Sequence, residues 1–213
     1  MGFCLSATFF HPPLWLNRGW HLGLLDANLT IMNTPTHKFK IPKIFEVADY
    51  DKDVSDELKK LFEKQVRAGK GIYLHGGTGT GKTHTAYAMA KKAQSLPLNV
   101  MFFNATSFLD QLKAEFKIGF AENEESLFDQ AMNLKGILFI DDLGAEKCSE
   151  WVLERFTLLI NHRWEEMLPI VFTSNYDLEI LSARMGDRVS SRVFAMAEVV
   201  QLTGADRRLT QNS

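Results

Sequence analysis

The stretch GIYLHGGTGTGKTH, residues 71–84, decides the fold of this chain. It opens with a short, mostly apolar run, and residues 76–83 match the pattern G-x-x-x-x-G-K-S/T. Glycines let a backbone curl until its N–H groups point at phosphate oxygens, and a following helix N-terminus adds partial positive charge. The stretch therefore predicts a strand, a phosphate-binding loop and a helix in succession.

The residues of this loop have expected tasks in binding ATP. Lys82 should reach the β- and γ-phosphates, and Thr83 should offer its hydroxyl to Mg²⁺. A dinucleotide-binding loop does not fit, because G-x-G-x-x-G does not match and Lys82 and Thr83 would have no role. The predicted nucleotide-binding residues are Gly76, Gly77, Thr78, Gly79, Thr80, Gly81, Lys82, Thr83 and His84.

A second motif, LFIDDLGAE at residues 138–146, ends an apolar run in two adjacent acids. Two such carboxylates repel each other and are costly to desolvate, so a bound cation is expected beside them. We expect Asp141 to hold Mg²⁺ through water, and Asp142 to orient and deprotonate an attacking water. A helix-capping or loop carboxylate is the alternative interpretation of Asp142.

Polar and basic residues later in the chain complete the candidate site. The run FTSN, residues 172–175, places Asn175 at the end of a predicted strand, where it can hydrogen-bond both the γ-phosphate and a water. Arg188 and Arg192 are four positions apart and share one face of a predicted helix. They are either arginine fingers for a neighbouring subunit's γ-phosphate or a solvated face paired with Asp187.

Apolar runs alternate with helical patterns along the regular part of the chain. We predict strands over residues 71–76, 98–103, 136–141, 170–173 and 199–202. Helices are predicted to begin after Ser55, near Lys82, after Thr106 or Ser107, near Glu124, after Ser149, after Asp177 and near Asp187. Gly186 separates the last two helices. This alternation indicates an α/β fold with a parallel sheet covered on both faces.

Bulk properties of the 213 residues limit the function classes. A formal net charge of -2 excludes a strongly basic nucleic-acid clamp but permits a local basic groove. Two cysteines without metal-ligand spacing and the lack of an uninterrupted apolar span favour a reducing, cytoplasmic setting with no membrane role. Residues 1–40 are expected to be a poorly ordered extension, or in part untranslated before Met32, and residues 41–213 the ATPase domain.

The motifs GGTGTGKTH, FIDDLGAEKCSEW, FTSN, SSRV and DRR, in this order, resemble the DnaC/IstB-like branch of the AAA+ ATPases. The resemblance covers residues 44–208 and implies a P-loop NTPase fold of AAA+ type, with five parallel strands in the order 5-1-4-3-2. In a departure from the family, we expect no full C-terminal lid, because the sequence ends soon after DRR. It implies that Arg188 or Arg192 is a trans-acting arginine. It also implies that Arg208, with Arg207 beside it, contacts phosphate.

The function implied by this resemblance is that of a helicase loader in DNA replication. Such a protein forms a ring or spiral when ATP-bound, hydrolyses ATP slowly, and binds single-stranded DNA and a DnaB-like replicative helicase. An IstB-like transposition helper acting on duplex DNA and a non-hydrolysing ATP-dependent switch remain alternatives; a small-molecule kinase is disfavoured by the late arginines. Lys113, Phe116 and Lys117 fall where this branch tends to face DNA, although Phe116 could instead be a core residue.

Overall fold

The computed structural model describes residues 39–96, 98–118, 125–146 and 149–204. Within these residues five strands form one sheet: β1 (Gly71–His75), β2 (Asn99–Asn104), β3 (Gly136–Asp141), β4 (Ile170–Ser174) and β5 (Ala197–Gln201). All pairs of neighbouring strands are parallel, and the order is β2-β3-β4-β1-β5. The predicted α/β class and the order 5-1-4-3-2 are confirmed. Residues 1–38 lie outside the described part, so the predicted extension and domain boundary stay predictions.

The helices follow the predicted alternation closely. They are α1 (Tyr50–Asp53), α2 (Asp56–Arg67), α3 (Lys82–Gln94), α4 (Ala105–Ile118), α5 (Leu127–Asn133), α6 (Glu150–Glu165) and α7 (Leu178–Met196), after a 3₁₀ turn at Lys43–Phe45. The side chains of Ser55, Ser149 and Asp177 cap α2, α6 and α7 as predicted. The one-turn helix α1, which is capped by Asp49, was not predicted.

The predicted cap of α4 is wrong. The helix begins at Ala105, and the side chain of Asn104 accepts hydrogen bonds from the backbone N–H groups of Thr106 at 3.1 Å and Ser107 at 3.4 Å. Asn104 also ends β2, so strand and helix adjoin without a loop. The sequence suggested Thr106 or Ser107 because both are good capping types, but Asn104 is an equally good cap slightly earlier in the chain.

The two faces of the sheet pack against different helices. Alternate residues of each strand point to opposite faces, so Ile72 and Leu74 join one core cluster with α2 and α3, whereas Tyr73 joins the other with α4, α6 and α7. Every residue of β3 and β4 is buried. A central parallel strand buried on both faces explains why these runs are almost continuously apolar.

Arg163 of α6 is fully buried, with 0% of its surface exposed. Its guanidinium donates hydrogen bonds to several backbone carbonyls, among them those of Ala131 at 2.8 Å, Leu134 at 3.2 Å, Gly136 at 2.9 Å and Pro169 at 3.0 Å. Burial lowers its pKa to about 9, which leaves it protonated at neutral pH. One side chain thus ties together the chain segments that enter β3 and β4.

None of the helices in the described residues has the length and apolar character needed to cross a lipid bilayer. The same residues contain no cluster of three or more histidine, cysteine or acidic side chains that could hold a metal ion by themselves.

Candidate functional site

The loop between β1 and α3 begins with a close backbone approach. Gly76 has φ 153°, and a Cβ on it would lie 2.2 Å from the carbonyl oxygen of Leu202. The N–H of Leu202 donates to the carbonyl of His75 at 2.7 Å, so the loop starts against the end of β5. Gly81 has φ 91° immediately before α3, a left-handed conformation that favours glycine. The loop therefore leaves β1 and enters α3 through two positions suited to glycine.

Lys82 points its ammonium group into the curve of this loop. The side chain is buried, and its Nζ donates to the carbonyl oxygens of Gly76 at 2.9 Å and Gly77 at 2.8 Å. The hydroxyl of Thr80 also donates to Gly77, at 2.9 Å, which closes the loop on itself. A buried ammonium beside a helix N-terminus is suited to binding an anion such as a phosphate chain.

Asp141, at the end of β3, is bound by hydroxyl groups from two neighbouring elements. Its Oδ1 accepts from the Oγ1 of Thr83 at 2.9 Å and from the Oγ1 of Thr173 at 2.6 Å. Burial raises the pKa of this carboxyl, and the two hydroxyl hydrogen bonds oppose the shift. A carboxylate and a hydroxyl oxygen are hard ligands of the kind Mg²⁺ takes, and a cation would offset the desolvation of the acid. The residues present therefore fit Mg²⁺.

Asp142 and Asn175 meet beside this group. The Nδ2 of Asn175 donates to the Oδ1 of Asp142 at 2.9 Å, and the backbone N–H of Asp142 donates to the Oγ1 of Thr173 at 2.9 Å. Asp142 has φ 62°, a left-handed conformation that is uncommon outside glycine and is often found at functional sites. Asp142 does not cap a helix, because Ser149 caps α6.

His84, the last of the predicted loop residues, contacts α1 through its ring. Its Nε2 lies 2.9 Å from the Oδ2 of Asp53, and its ring packs edge-on against Phe45 with centroids 6.4 Å apart. The His84 side chain therefore links the first turn of α3 to the segment before β1. A contact between His84 and nucleotide stays a prediction.

The two candidate finger arginines lie in the second half of α7. Both follow Gly186, where α7 departs from helical geometry with φ 80° and ψ 159°. Arg188 is exposed, and the guanidinium of Arg192 lies 5.2 Å from the centroid of the Trp164 ring. Asp187 accepts a hydrogen bond from the hydroxyl of Ser182 and forms no ion pair with either arginine in the described structure. The alternative of a salt-bridged face with Asp187 is therefore not supported.

Arg207 and Arg208 lie outside the described residues, so a phosphate contact by Arg208 stays a prediction. Sequence reasoning missed Thr173, whose hydroxyl stands between Asp141 and the backbone of Asp142. The sequence contained a signal for Thr173. It is two positions before Asn175 in FTSN, so the two side chains are expected to point to the same side of the strand.

The surface beside α4 and α6 carries the exposed Phe116, the half-buried Trp151 and a lysine. Phe116 is 59% exposed, so the core interpretation of this residue is wrong. Its ring packs edge-on against Trp151 with centroids 6.1 Å apart, and the Nζ of Lys113 lies 5.9 Å from the centre of the Trp151 ring. We call Lys113, Phe116, Lys117 and Trp151 the aromatic patch.

A second basic surface lies near the starts of β1 and β4. It is a groove of about 700 Å³ lined by Lys60, Glu63, Lys64, Arg67, Ala68, Lys70 and Met167. Lys60 and Lys64 are four positions apart on α2. Their spacing repeats that of Lys113 and Lys117 on α4, which makes the two pairs comparable.

Comparison with known proteins gives a consistent set of similarities. Residues 28–213 match the model of the IstB-like ATP binding protein family. The chain is 27% identical over 171 residues to the replicative helicase loader DnaI of Bacillus subtilis (strain 168), covering 73% of this chain and 52% of that protein. It is 29% identical over 124 residues to the insertion sequence IS21 putative ATP-binding protein of Pseudomonas aeruginosa, covering 58% and 45%.

The crystal structure of the DnaC helicase loader superposes on this chain with a TM-score of 0.62 at 24% identity, covering 76% of this chain and 100% of that one. At this identity the similarity demonstrates the fold. The chain spans about half the length of the curated relatives it matches, with 52% and 47% of the first two covered.

Proposed function

The chain belongs to the family of IstB-like ATP binding proteins, and we propose that it acts as an ATP-hydrolysing helicase loader in DNA replication. In this proposal ATP and Mg²⁺ bind between subunits of a ring or spiral, which holds single-stranded DNA and a DnaB-like replicative helicase until hydrolysis releases them. The supporting observation is the hydrogen-bonded cluster of Thr83, Asp141, Thr173, Asp142 and Asn175 at the carboxyl ends of β1, β3 and β4.

Binding of the triphosphate is assigned to the loop and to Lys82. The loop N–H groups and the start of α3 favour negative charge, and the Lys82 ammonium lies inside the loop, where it would meet the β- and γ-phosphates. Thr83 and Asp141 would hold Mg²⁺, which neutralises phosphate charge when bound. Loss of the Lys82 ammonium should therefore abolish nucleotide binding.

Hydrolysis is assigned to Asp142 and Asn175. Asp141 is buried with Oδ1 occupied by two hydroxyls, whereas Asp142 is half-buried and accepts from the exposed Asn175. In the proposed step a water attacks the γ-phosphorus, the bond to the bridging oxygen breaks, and Asp142 takes the proton of the water. Asn175 holds the Asp142 carboxylate and the water in place, and the products are ADP and phosphate.

The trans arginine is assigned to the second half of α7. Arg188 is exposed and Arg192 rests on Trp164, so both are presented on a surface that a neighbouring subunit could meet. An arginine at the neighbour's γ-phosphate would stabilise the charge of the transition state. Arg208 is proposed to contact phosphate within its own subunit.

Single-stranded DNA is assigned to the aromatic patch. Exposed aromatic rings stack on bases, and lysines neutralise backbone phosphates, without requiring a particular sequence. Phe116, Trp151 and Lys113 provide both kinds of contact at one place. The description of DnaI as a replicative helicase loader supports a helicase as the partner of this chain.

A transposition helper is the second candidate function. The similarity to the IS21 putative ATP-binding protein favours it. The two candidates differ in the DNA they should bind, because a loader should prefer single strands and a transposition helper should bind duplex. Direct comparison of the two DNA forms therefore decides between them.

The ATPase assignment is tested with Asp142→Asn, using the exposed Asp51→Asn as a matched control. We expect Asp142→Asn to lower the hydrolysis rate by a factor on the order of 100 or more while ATP binding, followed with a fluorescent analogue, is retained. Asp51→Asn should hydrolyse at the wild-type rate. Hydrolysis by Asp142→Asn at the wild-type rate would refute its role, and transfer of phosphate to a small metabolite would favour a kinase.

The DNA assignment is tested with Lys113→Glu/Lys117→Glu, using Lys60→Glu/Lys64→Glu in the basic groove as a charge-matched control. Anisotropy with a labelled oligothymidine and with a hairpin duplex should show single-strand binding that only the first pair weakens. The slope of log affinity against log salt should fall by about 0.7 for each phosphate that the variant no longer neutralises. Equal weakening in both variants would exclude the aromatic patch, and a preference for duplex would favour the transposition helper.

A further inference from the structure

Arg184, in the first half of α7, contacts both loops that carry the proposed hydrolytic pair. Its Nε donates to the carbonyl oxygen of Gly144 at 2.8 Å, and its guanidinium lies 4.5 Å from the centroid of the Tyr176 ring. Gly144 is in the loop that follows Asp142, and Tyr176 directly follows Asn175. One side chain therefore bridges the ends of β3 and β4 on the outside of the site.

Gly144 is held on several sides. Its N–H donates to the Oε2 of Glu146 at 3.1 Å. Its φ is 89°, and a Cβ on it would lie 3.0 Å from the Cδ1 of Leu181 and 3.1 Å from the Cδ2 of Tyr176. The Gly144 peptide is thus packed directly against α7 and the Tyr176 ring, with its carbonyl turned to Arg184.

Hydroxyl groups of β4 and β1 form hydrogen bonds with the backbone of the same two loops. The Oγ of Ser174 donates to the carbonyl of Leu143 at 2.7 Å and accepts from the N–H of Tyr176 at 3.1 Å. The hydroxyl of Tyr73 in β1 donates to the carbonyl of Tyr176 at 2.8 Å. These hydrogen bonds anchor the loops to β1 and β4, and Arg184 adds a further link between the two loops.

We propose that Arg184 is a positioning residue for ATP hydrolysis, which holds the loop of Asp142 against the loop of Asn175. The consequence is that the carboxylate and the amide keep their 2.9 Å hydrogen bond and their common orientation towards a water. This inference rests on the proposed function, since it assigns Arg184 to the same reaction. Because α7 also carries Arg188 and Arg192, Arg184 connects the helix that would meet a neighbouring subunit to the hydrolytic pair.

The geometry requires an arginine at this position. A guanidinium is planar, so it can stack on the face of Tyr176 while its Nε donates in its own plane to Gly144. A lysine carries the same charge but presents a compact ammonium with no planar face, so it cannot make both contacts in this way. Charge and geometry can therefore be separated by experiment.

The test compares Arg184→Lys and Arg184→Ala with Arg155→Lys. Arg155 is a matched control because its guanidinium also lies on an aromatic ring, 5.3 Å from the centroid of Phe128, on helices α5 and α6. We expect both Arg184 variants to show a roughly ten- to a hundredfold lower kcat with unchanged Kd for ATP, because the reacting groups are misplaced while the phosphate loop is intact. Arg155→Lys should keep the wild-type kcat.

A double-mutant cycle of Arg184→Lys with Tyr176→Ala separates positioning from general stability. If Arg184 acts through its stack on Tyr176, the two reductions in kcat should be non-additive, and the double variant should be little worse than either single variant. Additive reductions overturn the proposal. A full wild-type rate in Arg184→Lys also overturns it, since charge alone would then suffice.

Parallel decreases of kcat, ATP affinity and thermal stability in the Arg184 variants would indicate a structural role and overturn the proposal. Failure of the underlying function gives a different result. If the wild type binds ATP but does not hydrolyse it, the loader ATPase and the positioning role are both refuted. If the wild type and Arg155→Lys hydrolyse ATP and the Arg184 variants do so equally well, only the positioning role is refuted.

Discussion

Asp141, the last residue of β3, and Glu146, in the loop that follows, both have buried carboxyl groups. Burial raises the pKa of both, since desolvation disfavours the charged form. Asp141 has an evident compensation, because its oxygen accepts from two hydroxyls and would gain from Mg²⁺. The burial of Glu146 is compensated less well. One of its carboxylate oxygens accepts a hydrogen bond from the N–H of Gly144, and the other has no hydrogen-bond partner in the described structure.

The buried and poorly compensated carboxyl group of Glu146 should make the free energy of unfolding depend on pH. When folding raises the pKa of an acid, the native state binds more protons than the unfolded state, so stability falls as pH rises through that range. The penalty is present above the raised pKa and vanishes below the usual value of about 4.3. Relative to Glu146→Gln, the wild type should therefore gain thermal stability as pH is lowered from about 7 towards that value.

The measurement is Tm by circular dichroism for both proteins across this pH range. Glu165→Gln, which replaces an exposed acid at the end of α6, provides the control and should show no such trend. A difference between wild type and Glu146→Gln that does not change with pH would show that burial does not shift this carboxyl.

At the scale of elements, the break in α7 is the feature that separates two groups of arginines. Arg184 precedes it and contacts the loops of the site, whereas Arg188 and Arg192 follow it on the outer surface. The break is caused by the positive φ of Gly186, and apart from its chain neighbours and the adjacent backbone of α7 no described atom lies within 4 Å of where its Cβ would be. The position of the break thus depends on backbone freedom and not on packing.

Gly186→Ala should destabilise the protein by about 1–2 kcal/mol, because alanine is strained at this φ although it has room. Urea unfolding followed by circular dichroism measures the change. The sign is informative, since alanine in a continuous right-handed helix would stabilise by about 0.4–1 kcal/mol. A stabilised variant would therefore contradict the break and indicate an uninterrupted α7 in solution.

At the scale of the whole molecule, the parallel sheet gathers residues that are distant in sequence at one edge. Thr83, Asp142 and Asn175 follow β1, β3 and β4, which are neighbours in the sheet. In the second half of α7, Arg188 is exposed and Arg192 lies against the ring of Trp164. In our proposal one of them serves another subunit's site, which would give hydrolysis a dependence on assembly.

Mixing Asp142→Asn with Arg192→Ala tests this dependence. If Arg192 is the trans arginine, each variant should be inactive alone, because one lacks the base and the other that arginine. An equimolar mixture should regain about a quarter of the wild-type rate, since half the sites keep the acid and half of those meet an intact arginine. ATPase assays of the mixture over a range of protein concentrations measure this.

Repeating the experiment with Arg188→Ala in place of Arg192→Ala identifies the arginine that acts in trans. Only the variant of the trans arginine should be inactive alone and regain ATPase activity when mixed with Asp142→Asn. A mixture that stays as inactive as its components would place the essential arginine in its own subunit.

Much of the fold was predictable because it depends on local patterns. Ser149 caps α6, β3 spans Gly136–Asp141, and Gly186 interrupts α7, as the sequence predicts. Such features follow from a few consecutive residues and their backbone preferences. The prediction of the α4 cap failed for a related reason. Asn104, Thr106 and Ser107 are all good capping residues, so local preference cannot decide which of them begins the helix.

The sequence by itself determined the strand-loop-helix unit, the polar ends of the strands and, through family resemblance, the strand order. Tertiary structure alone placed the Thr173 hydroxyl between Asp141 and the backbone of Asp142, and Arg184 across the two loops. It also turned Arg163 inward onto backbone carbonyls. Most of these contacts join residues about 30 positions apart in the chain. They depend on the parallel register of neighbouring strands and on helix packing, which no local pattern encodes.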